Sequence, residues 1–76
     1  MALTGDQFTA LYKAECSKIA TLQLKHEGTL KFFAAACLEG DGIQADTYRS
    51  TLRSILDNIL DCESQKSSLM QQLSKS

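Results

Sequence analysis

The sequence predicts an all-α protein: an antiparallel helical hairpin, about 5–38 and 44–73, that completes its core by dimerisation or partner binding. Three observations carry this. The 76 residues contain no Pro and only four Gly, so no strong breaker interrupts the chain before Gly40. Apolar residues recur at helical spacing on both sides of a Gly-Asp-Gly turn. The length allows a single helical domain spanning 1–76 and leaves little material for a self-sufficient core.

The first helix has a well-marked start. Thr4 and Gln7 match the S/T-x-x-E/Q capping box, Leu3 and Phe8 match a hydrophobic staple, and Asp6 suits the positive end of the helix dipole. At 100° per residue, Phe8, Leu11, Tyr12, Ile19, Leu22, Leu30, Phe33 and Cys37 fall on one stripe. The stripe continues past Gly28, which predicts one uninterrupted helix. A break at Gly28 is the alternative, because glycine costs about 1 kcal/mol in a helix interior; it would convert the hairpin into a three-helix bundle.

Glu39-Gly40-Asp41-Gly42 reads as the turn, with Gly40 suited to the left-handed residue that ends a helix. The second helix then begins at Gln44 to Asp46. Tyr48, Leu52, Ile55, Ile59, Cys62, Leu69, Met70 and Leu73 form its stripe, with Leu56 at the edge. Long helices joined by so short a turn must lie antiparallel, and level partners total about 81 in residue number. That register sets Glu15 beside Lys66, an expected ion pair across the hairpin, and brings Cys16 near Cys62 as packed thiols.

Two helices cannot enclose a core. Disulfides, metal and oligomerisation are the usual remedies in a chain this small. Cys16, Cys37 and Cys62 are odd in number and widely spaced, which reads as buried free thiols in a reducing cytoplasm. One His and no C-x-x-C leave too few clustered ligands for zinc, so no metal and no cofactor is expected. Association remains. Leu24, Phe32, Leu56 and Leu60 lie off or at the edge of the main stripes and are the candidate partner-binding residues.

Composition argues against several functions. A net charge of −1, from eight basic and nine acidic residues, lacks the basic excess of a nucleic-acid binder. No apolar run approaches the ~20 residues of a membrane span, and the first residues carry no signal-peptide pattern. No nucleophile elbow, Walker loop or H-E-x-x-H is present, so no catalytic residue and no small-molecule substrate is expected. His26 lies too far along the helix from Cys16 for a nucleophile pair and reads as a core or interface histidine. Lys18 and Lys25 form a basic rim whose aliphatic stems cover apolar surface.

The order of long helix, Gly40-Asp41-Gly42 turn, Gln44-Ala45-Asp46-Thr47-Tyr48, and a second long helix with Leu52, Ile55, Leu56 and Ile59 resembles the small helical-hairpin co-chaperones of type III secretion systems. Those proteins, together with a second chaperone, hold the needle subunit in the cytoplasm. The resemblance covers nearly the whole chain as a pattern of lengths and spacings. It does not extend to the three cysteines or to Ala34-Ala35-Ala36, and it implies no site residue. The resulting expectation is a small cytoplasmic protein-binding module, a secretion chaperone or assembly adaptor. The alternative is a homodimeric four-helix-bundle RNA-binding or regulatory protein using Lys18 and Lys25.

Overall fold

A computed structural model of the chain describes residues 4–74. They form two helices, α1 (Gly5–Glu39) and α2 (Gly42–Ser74), packed side by side in a body 55 × 14 × 12 Å. The architecture is the expected all-α hairpin. Gly28 lies within α1, which runs unbroken, so the three-helix alternative is excluded.

Local chemistry sets the ends. Thr4 accepts from the Gln7 amide through its hydroxyl at 3.1 Å, and the Thr4 amide donates back to Gln7 Oε1 at 3.1 Å, which completes the capping box. The staple expected from Leu3 lies outside the described residues. Gly40 closes α1 at φ 76°, a left-handed conformation that costs a residue with a Cβ about 1–2 kcal/mol. Asp41 then starts α2 two residues earlier than the sequence suggests. Its carboxylate accepts from the Gln44 amide at 3.1 Å and its carbonyl accepts from Ala45 at 2.9 Å. The expected four-residue turn therefore shrinks to Gly40 and Asp41.

The seam between the helices is not the straight stripe that a 100° projection draws. On α1 the seam is the series Phe8, Tyr12, Glu15, Ile19, Leu22, His26, Thr29, Phe33 and Ala36, all buried or half-buried, with half-buried Cys16 and Gly28 beside it. On α2 it is Ala45, Tyr48, Leu52, Ile55, Ile59, Cys62, Lys66 and Leu69. Steps of three and four residues alternate along both series, a seven-residue repeat. A straight helix of 3.6 residues per turn drifts by about 20° per heptad from such a repeat, so the pair must wind left-handed to keep its seam closed. The drift explains the misplacements. Leu11, Leu30, Met70 and Leu73 are exposed, and Cys37 is exposed beside buried Ala36.

Cross-helix contacts keep the expected antiparallel register. Phe32 stacks on Tyr48 with ring centroids 5.9 Å apart, Arg49 lies 5.9 Å over the Phe33 ring, and Lys66 lies 5.1 Å over Tyr12. The seam is thin. Among the described residues only Ile19, Ala36, Ala45 and Ile55 are buried hydrophobics, each 5–7% exposed, and no large side chain is fully enclosed.

Candidate functional site

Winding the seam every seven residues leaves two flanks and two backs. One flank is marked by a groove lined by Gln23, His26, Glu27, Leu56 and Ile59. Leu30 and Cys16 lie seven residues either side of Gln23 and so share its face; Leu60 follows Leu56 by one helical turn. This flank exposes three leucines, Leu30, Leu56 and Leu60, at 47%, 48% and 65%, with Gln23 and Glu27 between them on α1. Arg53 and Glu63, at helical spacing from these leucines, edge it with opposite charges.

The opposite flank is mixed. One groove there is lined by Ser17, Lys18, Thr21, Leu22, Asn58, Asp61 and Cys62. A second, near the turn, includes Phe32, Ala35, Gln44 and Tyr48. The four residues expected to meet a partner thus do not form one surface. Leu56 and Leu60 lie together on the apolar flank. Phe32 stands on the opposite flank, stacked on Tyr48. Leu24, midway between seam residues Leu22 and His26, points out from the back of α1 at 70% exposure. Leu30, which belongs beside Leu56 and Leu60, went unrecognised because the straight projection assigned it to the core. The alternation of three- and four-residue steps is the signal that finds it.

The seam carries charge near its open end. Glu15, its side chain only 14% exposed, pairs with Lys18 at 3.3 Å. Lys66 pairs with Glu63 at 3.8 Å. The expected Glu15–Lys66 bridge is absent among the described residues; each charge is held instead by the residue one turn away on its own helix. Lys66 is held above the usual lysine range: burial would lower it, but the titrating groups of Cys16, Glu63 and Tyr12 outweigh that. Lys18 is ion-paired and Asp61 lines the same groove, so this rim is not a run of uncompensated positive charge.

The thiols are free, and the expectation that they are buried is not met: Cys37 is exposed, and Cys16 and Cys62 are half-buried. Burial, a hydrogen bond donated to the Glu15 carboxylate and that carboxylate's charge push the Cys62 thiol up. Alkylation with iodoacetamide at neutral pH, followed by peptide mass spectrometry, is expected to modify Cys37 first and Cys62 last, because the thiolate is the reactive form. Equal rates at the three positions would contradict this placement.

Among the described residues no group of three or more His, Cys, Asp or Glu side chains could hold a metal ion, and no helix is long and apolar enough to cross a membrane. His26 stands in the seam, with neither Cys16 nor Cys62 lining its groove. The fold and its flanks define a class, the antiparallel helical hairpin with a heptad seam and an apolar flank. No family model, curated protein or solved structure matches the chain.

Proposed function

We propose that this chain is a small cytoplasmic protein-binding module that buries an apolar helix face against partner helices, as a small chaperone or assembly adaptor does. The supporting observation is the imbalance of burial. Four hydrophobic residues are buried among those described, whereas ten large hydrophobics stand exposed, Leu60, Phe32, Leu24 and Leu38 at 62–89%. Single exposed apolar residues are ordinary, but Leu56 and Leu60 are neighbours one turn apart on a flank that also carries Leu30, and a gathering of exposed leucines on one face supports an interaction surface. Helix-in-groove docking uses this pattern of anchors one or two turns apart. The hairpin likeness to type III secretion co-chaperones is in keeping with the reading.

Photo-crosslinking in cells tests it. A photoreactive residue at Leu60 or Phe32 is expected to give a discrete protein adduct, and the same residue at exposed Ser50, on the back of α2, none. Equal labelling at all three positions, or none at either apolar position, would overturn the proposal.

A further inference from the structure

From the hairpin's area and the order of residues along its apolar flank, we infer that this flank takes a second copy of the chain, end-for-end, to form a four-helix bundle. The inference deepens the binding-module reading and rests on it. The free chain exposes 5671 Å². A compact monomer of its 8.3 kDa exposes about 4,600 Å². The excess, about 1,100 Å², is comparable with the ~800 Å² that each partner buries in a standard stable interface.

A homodimer with a closed two-fold needs a self-complementary patch. Leu56 and Leu60 lie two residues either side of Asn58, the midpoint of α2. A two-fold axis crossing the flank at that level sets α2 against α2 of the second copy, running antiparallel. Leu56 of one copy then meets Leu60 of the other. Arg53 meets Glu63, an opposite-charge pair that occurs twice in the dimer. On α1, the level of Asn58 corresponds to Gln23, so Leu30 meets the half-buried, smaller Cys16. No like charges on α2 face each other in this arrangement, because Arg49 falls opposite Ser67. Arranging the two copies with the same ends together would instead set α2 of each copy against α1 of the other, so the Arg53–Glu63 pairs would not form.

Sedimentation equilibrium of the reduced full chain over a concentration series, with helicity followed by circular dichroism, tests this. The wild-type chain is expected to sediment as a dimer. Leu60→Glu is expected to be a helical monomer, and Phe32→Glu, altered on the opposite flank, to remain dimeric. Arg53→Glu is expected to weaken the dimer about tenfold, and Arg53→Glu with Glu63→Arg to restore it. A wild-type monomer at every concentration, a dimer indifferent to Leu60→Glu, or failure of the charge swap to restore binding would each overturn the arrangement. A purified monomer whose Leu60 position still crosslinks a different protein in cells would reject the second copy and retain the binding-module reading; absence of any adduct would reject both.

Discussion

Truncating Ile55 to alanine is expected to cost the fold about 2–4 kcal/mol, measured by denaturant unfolding followed at 222 nm. Ile55 is one of four buried hydrophobics among the described residues and stands at the middle of the seam, level with His26. Its removal takes apolar area from a core that has little, and the loss adds a cavity term because the two backbones cannot collapse onto an alanine without shifting neighbouring layers. A chain of this size is held by only about 4–11 kcal/mol, so one truncation removes a large part of the total. Leu24→Ala is the control. Leu24 is larger in contact surface than alanine but 70% exposed on the back of α1, so its truncation is expected to stay within about 0.5 kcal/mol. Equal losses at the two positions would mean that the seam is not where the alternation of three- and four-residue steps puts it.

Gly28 provides the second large effect, and it acts in both directions. The residue lies inside the unbroken α1, and a Cβ built there meets no atom within 4 Å. Gly28→Ala is therefore expected to stabilise the hairpin by about 1 kcal/mol, through better helix propensity and a less flexible unfolded chain. Gly28→Pro is expected to destabilise it by about 3 kcal/mol or more, since proline removes a hydrogen bond and clashes with the carbonyl four residues back. The pair discriminates between continuous and broken helix. If Gly28 stood at a break between two helices, alanine would gain little and proline would be tolerated. Thermal unfolding of the two variants beside the wild type reads both outcomes.

Much of this architecture follows from local chemistry that a single strand of text displays. Thr4 and Gln7 cap α1 through their own side chains, Gly40 supplies the left-handed residue that ends it, and the lack of proline lets both helices run long. The antiparallel register also follows, because a turn this short leaves two long helices no other way to pack. The start of α2 was displaced by two residues for an equally local reason: Asp41 caps the helix with its carboxylate, and its neighbour Gly42 joins the first turn.

The faces were harder to read. A straight helix and a wound pair place the same residue on different sides after a few turns, and which geometry applies depends on the neighbour. Leu30 and Cys37 therefore read as core and proved exposed, while Thr29 and Ala36 took their places in the seam. The partners of Glu15 and Lys66 were likewise decided by packing. Their level positions allow a bridge, but Lys18 and Glu63 lie one turn away on the same helices and hold the charges, with Tyr12 under the Lys66 ammonium. The candidate interface shows the same division. Composition and length indicate that apolar surface is left over, because two helices enclose too little. Where that surface lies, with Leu56 and Leu60 on one flank, Phe32 on the other and Leu24 on the back, depends on the winding of one helix about the other, a property of the pair that neither segment carries alone.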